Sequence, residues 1–259
     1  MADIVAINRT VVADSFNMQP VEIIIPFYNQ STKVVNLIQD IFLTVQRNRY
    51  LITLVDDGSK NPDFIKQLEE KKIPGLRFII HEKNSGFGAA VNNALRYPFS
   101  DNINWVCILH SDVRISDANW LYNLGTSMNK LKSKGVKMIA PLTNNPVVDN
   151  PLLKADKATY KDDIILTEGF LPFYCVFAHR QLFNTVGLLP EYPYAGVEVE
   201  VYAKAMKEKG FFQAVCNSSW VQHEGRGTLK HLDNNKKVQE ILRKVKESKL
   251  EKPENKAQE

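Results

Sequence analysis

The sequence predicts an α/β protein built on a doubly wound, mostly parallel sheet flanked by helices. Short apolar runs alternate with stretches of helical periodicity, and the connections are brief; parallel strands need crossovers, and helices supply them. The runs are also continuous, as in VEIIIP (21–26) and LITLV (51–55), which suits strands buried on both faces.

Each element follows in order. After VEIIIP, closed by proline, Val34, Val35, Ile38, Ile41, Phe42 and Val45 recur at helical spacing, with Ser31 or Thr32 placed to cap the start. LITLV is the second strand. A short helix through Phe64, Ile65 and Leu68 comes next, with Asp57 or Ser59 as its cap and Pro62 in its first turn. LRFII (76–80) is a strand, followed by a helix from near Gly86 to about Tyr97. Then come the strand NWVCIL (104–109), a helix with Trp120, Leu121, Leu124, Met128 and Leu131 on one side, and the strand VKMIA (136–140). Beyond 141 the pattern changes. PLTNNPVVDNPLL reads as a loop, so 141–162 is expected to be an excursion over the strand ends. FYCVFAHRQLF is a strand turning into a helix, GVEVEVYAKAMKEKGFF a helix ending at Gly210, and QAVCNSSWVQHEGRGT a strand pair or a strand plus loop.

This organisation implies one domain over 1–233, dividing near residue 140, and an appended basic helix and disordered tail over 234–259. In the tail Val238, Ile241, Leu242 and Val245 keep helical spacing beside a basic face. Net charge is +4, and the excess of basic residues from Lys230 onward leaves the body nearly neutral. A broad nucleic-acid face on the body is therefore not indicated, although the tail could touch phosphates or an anionic membrane. No run approaches the roughly 20 apolar residues of a membrane span, and the start lacks the basic end and apolar block of a secretory signal. A cytoplasmic location is expected, with peripheral membrane contact left open. Cys107, Cys175 and Cys216 are widely spaced in apolar stretches and read as small core residues.

In open parallel sheets ligands sit at the carboxyl ends of strands. Those ends bring PFYNQ (26–30), DDGS (56–59), HEKNSGFG (81–88) and HSDV (110–113) to one rim. NSGFGAA sets two glycines at a helix start, where free N–H groups and a permissive backbone allow a polar ligand close. It is not a dinucleotide fingerprint, because it follows the third strand and lacks the third glycine and downstream acid.

The succession VEIIIPFYNQ, VDDGS, NSGFGAAVNNAL and LHSDVRISDANWLYNL resembles the nucleotide-sugar-dependent glycosyltransferases of family 2, over roughly residues 21–225. The resemblance implies a GT-A fold: a Rossmann-like nucleotide-binding half over about 20–140 and a smaller acceptor-side β region over 141–233. It implies a nucleoside-diphosphate sugar as donor, UDP favoured. Asp56 and Asp57 look like the family's acidic pair, one of which contacts the base. Pro26, Tyr28 and Asn29 stand beside them, and Asn84 and Gly86 would hold the nucleoside or ribose. HSDV occupies the position of the family's DXD motif: Asp112 is retained with Ser111 before it, while His110 replaces the first acid. The motif implies a divalent cation, Mn²⁺ or Mg²⁺, on the diphosphate, and His110 either joins Asp112 as a ligand, contacts the donor, or does neither.

The same likeness puts the catalytic base at the start of a late helix. Glu198 matches it, with Val197 where a preceding acid is usual. His223, in WVQHEGRGT, would be a further metal ligand or a phosphate contact, and Arg226, with Thr228, would reach the diphosphate. His81, His179 and His231 receive no role. Single displacement with inversion is implied, onto a surface glycan or lipid-linked saccharide; hydroxymethylated bases in DNA are the alternative acceptor. From another class, a non-catalytic nucleotide-sugar binder is the rival. Phe170, Phe173, Tyr192 and Tyr194 are candidates to stack on a sugar. All of this requires one crevice to gather Asp57, Asp112, Glu198 and His223.

Overall fold

A computed structural model describes residues 20–46, 49–61, 63–146, 152–159, 164–167, 170–192 and 197–225. Arg226, Thr228, Tyr194, Pro62 and the basic segment from 234 lie outside them. In chain order the elements are β1 (Val21–Phe27), α1 (Ser31–Thr44), β2 (Tyr50–Asp56), α2 (Asp63–Glu70), β3 (Leu76–Ile80), α3 (Phe87–Arg96), β4 (Trp105–Leu109) and β5 (Val113–Arg114). They continue with α4 (Trp120–Leu131), β6 (Val136–Thr143), β7 (Ile164–Thr167), β8 (Cys175–His179), α5 (Gln181–Val186), α6 (Val197–Glu208) and β9 (Phe212–His223).

The strands form one sheet in the order β3-β2-β1-β4-β8-β6-β9-β5, with β7 also on β9. β1 pairs in parallel with β2 and β4, and β2 with β3. β8 is antiparallel to both β4 and β6, while β6 and β9 are parallel. Among the described strands β5, β7 and β8 therefore run against the common direction; β7 and β8 lie beyond residue 141, whereas β5 (Val113–Arg114) lies before it. The apolar runs behave as their composition requires: all seven residues of β1 are buried. Val34, Leu37, Ile38 and Ile41 bury one side of α1, and Trp120, Leu121, Leu124, Met128 and Leu131 one side of α4. Cys107, Cys175 and Cys216 are free and buried. Among the described residues no helix is long and apolar enough to cross a membrane.

Three local expectations change. Ser31 lies inside the first turn of α1, whose N-cap is Gln30 and carries no side-chain cap bond, so neither Ser31 nor Thr32 caps it. Neither Asp57 nor Ser59 caps α2: the Ser59 hydroxyl accepts the Asn29 N–H at 2.9 Å, and Asn61 Oδ1 receives the Asp63 N–H at 3.2 Å. The segment after 140 is not all loop, because β6 continues to Thr143, whose backbone exchanges bonds with Leu153 and Ala155. QAVCNSSWVQH forms one long strand. Its register on β6 shifts between Pro141 and Leu142, so that Cys216 and Trp220 face consecutive partners.

Two positions give direct stability tests. A Cβ at Gly88, inside α3, would stand 2.3 Å from the Pro190 carbonyl oxygen. Gly88→Ala is expected to cost about 1–3 kcal/mol through overpacking, read as a lower urea midpoint. Asp117 precedes α4, and its Oδ1 accepts the Asn119 N–H at 2.8 Å while Oδ2 is buried without a hydrogen-bond partner. Burial raises its pKa, opposed by the Asn119 bond. The folded chain thus holds the proton more tightly than the unfolded one, so stability is fullest below the unfolded value and declines as pH rises through the folded one. Asp117→Asn should therefore raise the melting temperature at pH 7, with the gain vanishing near pH 3.

Candidate active site

The carboxyl ends of β1, β2, β3 and β4 converge, and backbone and side-chain bonds lock their loops together. Asn29 adopts a left-handed φ of 54°, and its Oδ1 accepts the Lys60 N–H at 2.9 Å. With the Ser59 bond, this ties the end of β1 to the turn after β2. Pro26 is buried in β1 opposite Val55, and Tyr28 is half-buried beyond it. Gly58 must be glycine: its φ is 76°, and a Cβ there would lie 2.5 Å from the Lys83 backbone. The loop of Asp56 and Asp57 consequently abuts the loop carrying Asn84, an exposed residue.

The acidic pair is mostly engaged within the protein. Asp56 Oδ1 accepts the Ser59 N–H at 2.8 Å. Asp57 Oδ1 accepts from Ser85 N and His81 Nδ1, each at 2.8 Å, and Oδ2 accepts from Gly86 N at 2.9 Å. An ionised carboxylate has about four acceptor positions, so Asp57 retains one for a ligand. Its larger work is to fix the 85–86 turn, where Gly86 takes φ 92° just before α3. His81, which sequence reasoning passed over, is the bridge: Asn93 Nδ2 donates to its Nε2 at 2.7 Å, so the ring is held as the Nδ1–H tautomer. Its position at the end of β3 was the available signal.

Across the rim, HSDV forms a tight turn after β4, with Val113 N bonded to His110 O at 3.2 Å. β5 then pairs with the end of β9, setting Val113 opposite His223, and Glu224 N donates to Asp112 O at 3.1 Å. Residues just past the fourth strand are thereby joined to ones 110 and 112 positions later. His223 Nε2 lies 3.2 Å from Asp112 Oδ1, and His110 Nδ1 lies 4.0 Å from the same oxygen. Ligand atoms of the three residues fall within 4.8 Å of one another, a group that could hold a metal ion. Ser111 and Asp112 are buried.

The ligand types of the three residues are those that can hold a cation. His223 Nδ1 donates to the Asn145 carbonyl at 2.8 Å and its ring stacks on Tyr174, which turns Nε2 toward Asp112. At 3.2 Å that contact is made either by a proton on Nε2 or by a metal ion bridging the two. The pKa of His110 is lowered to about 4, chiefly by burial, with Asp112 raising and His223 lowering it. Its ring is thus neutral at pH 7, although a third of the side chain faces solvent. Two imidazoles and one carboxylate suit Mn²⁺ better than the oxygen-seeking Mg²⁺.

Glu198 is the second residue of α6 and is 2% exposed. One turn further, Tyr202 packs on Phe173 and Phe183; Phe173 meets Phe87, and Phe87 meets the His110 ring edge-on at 5.1 Å. An aromatic layer therefore connects α6 to the group of His110, Asp112 and His223. Phe173 is a core residue, while Phe170 and Tyr192 are half-buried.

This sheet has the architecture of GT-A glycosyltransferases. Similar solved structures include GalNAc-T7 with UDP, GalNAc and Mn²⁺, at TM-score 0.66 and 13% identity, covering 80% of this chain and 44% of that one. The mannosyltransferase PcManGT from Pyrobaculum calidifontis in complex with GDP-Man and Mn²⁺ gives 0.60 and 16%, covering 84% and 61%. A fragment of TarS from S. aureus with UDP-GlcNAc gives 0.58 and 15%, covering 79% and 58%. The chain thus spans 44–61% of the length of these structures. No curated protein matches it in sequence. Residues 22–187 match the family model Glycosyl transferase family 2, and the chain belongs to that family.

Proposed function

We propose that this chain transfers a sugar from a nucleoside diphosphate, UDP favoured, to an acceptor hydroxyl, with inversion at the anomeric carbon. The observation that carries the reading is the convergence of His110, Asp112 and His223 at the strand-end rim of a family 2 chain. These three residues would hold Mn²⁺, which supplies Lewis-acid neutralisation of the diphosphate. On the nucleoside side, the remaining acceptor position of Asp57, with Asp56 and the backbone around Asn84 and Gly86, offers hydrogen bonds to base and ribose. Pro26, Tyr28 and Asn29 border that side, Ser111 borders the cation side, and Arg226 is assigned to the diphosphate.

Glu198 takes the acceptor proton. It stands in the first turn of α6, where the helix N-terminus presents partial positive charge. A base is needed because a sugar hydroxyl is otherwise a weak nucleophile at neutral pH. A surface glycan or lipid-linked saccharide is the acceptor class in this reading, with DNA as the alternative to be separated by salt dependence. The reading includes a basic segment over 234–259 beside a single catalytic domain, and a cytoplasmic setting with peripheral membrane contact.

The test is a thermal-shift panel of nucleotide sugars with and without Mn²⁺. A ligand of the folded state raises stability by RT ln(1 + [L]/Kd). A UDP-sugar should raise the melting temperature only when Mn²⁺ is present, and Asp112→Asn or His223→Ala should abolish that rise. Equal shifts in these variants and the unmodified protein would remove the metal reading.

A further inference from the structure

The two strands that bring the cation-binding group together are both fastened to one helix. Lys33 and Asp40 lie seven residues apart on α1, two turns along the same face. Asp40 is buried, yet it accepts three hydrogen bonds from the chain just beyond Asp112. Arg114 Nε reaches its Oδ2 at 2.7 Å, Arg114 NH2 reaches Oδ1 at 3.0 Å, and the Ile115 N–H reaches Oδ2 at 3.0 Å. Lys33 Nζ stands 2.7 Å from Glu224 Oε2, and Glu224 directly follows His223. Asp112 and His223 are thus each within three residues of a group pinned to α1.

We propose that Asp40 is a positioning residue for the His110–Asp112–His223 group, holding β5 so that Asp112 meets His223 and keeping the Arg114 cation turned away from the site. The inference rests on the metal reading above. β5 has only two residues, too few to define a register against β9 by ladder bonds alone. A bidentate arginine–carboxylate pair adds the missing geometric constraint. The charges are also matched, since Asp40 and Glu224 both stabilise the Arg114 cation. Without Asp40, a guanidinium two residues from Asp112 is free to swing toward an incoming metal ion and repel it.

The experiment titrates Mn²⁺ alone into the full chain, counting the free ion by its paramagnetic resonance signal, well below the melting temperature of each variant. Asp40→Asn should weaken Mn²⁺ binding about tenfold or more, the usual size for groups that orient ligands. Arg114→Lys keeps the charge but loses the fork, and should weaken binding in the same direction, which provides a second arm if Asp40→Asn does not fold. The double variant should bind no worse than the weaker single one, because both changes release the same constraint. Folded Asp40→Asn or Arg114→Lys binding Mn²⁺ as tightly as the unmodified protein, with only the metal-free melting temperature lowered, overturns the proposal and leaves the metal reading standing. Failure of the unmodified chain to take up Mn²⁺, or uptake undiminished in Asp112→Asn, overturns both.

Discussion

Glu198→Gln is expected to reduce turnover about 10²–10⁴-fold while donor and Mn²⁺ binding persist, the range over which a positioned general base contributes. The substitution keeps the shape and burial of the side chain at the start of α6 and removes only its basicity. Single-turnover transfer and nucleotide-sugar thermal shifts, measured on the same preparation, separate the two effects. Retained turnover would transfer the role to another carboxylate; Glu200, also in the first turn, is then the first to test. Loss of donor binding in Glu198→Gln would instead mark Glu198 as a binding residue. The non-catalytic alternative predicts no turnover in either protein, so the unmodified chain with donor and Mn²⁺ decides that question.

The largest expected effect on stability lies at the opposite end of β1. Glu22 is fully buried in the run VEIIIP, where its charge has to be compensated. Its Oε1 receives Thr53 Oγ1 at 2.5 Å and Arg77 NH2 at 2.8 Å; Oε2 receives Arg180 NH2 at 2.6 Å and Phe99 N at 3.1 Å. One carboxylate thereby joins β1, β2, β3, the chain before β4, and the residue that leads into α5. Removing it strands two guanidinium groups with little access to water, as the side chains of Arg77 and Arg180 are 24% and 14% exposed. Glu22→Ala should cost about 3–5 kcal/mol, the usual penalty for breaking a buried ion pair from one side. Urea denaturation followed by circular dichroism checks this, with Glu22→Gln expected to fall between the two. A change below about 0.5 kcal/mol, the level of ordinary surface substitutions, would show that solvent already compensates the arginines.

Glu22 also shows where reading by pattern stops. Its neighbours are enough to predict a buried strand, and the strand forms, but the acid inside the run signals a network whose partners lie 31, 55, 77 and 158 residues away. Asp57 repeats the lesson at the rim. Its place after an apolar strand points to a ligand site, whereas three of its acceptor positions serve His81, Ser85 and Gly86. Asp40 reads as one polar position on a helix until β5 packs beside it. In each case the side chain's neighbours come from distant sequence, and no local periodicity carries them.

Residue order alone determined which segments become the central strands and helices, because burial on two faces or one face imposes its period on a short stretch. It also determined that PFYNQ, DDGS, NSGFG and HSDV reach one rim, since parallel strands joined by crossovers must deliver their carboxyl ends to the same side. Tertiary structure decided how β8 and β9 extend that sheet, which lone pairs remain for a ligand, and that His110 and His223 join Asp112. Those outcomes depend on pairing and hydrogen bonding between residues far apart in the chain, and they exist only once the sheet has closed around them.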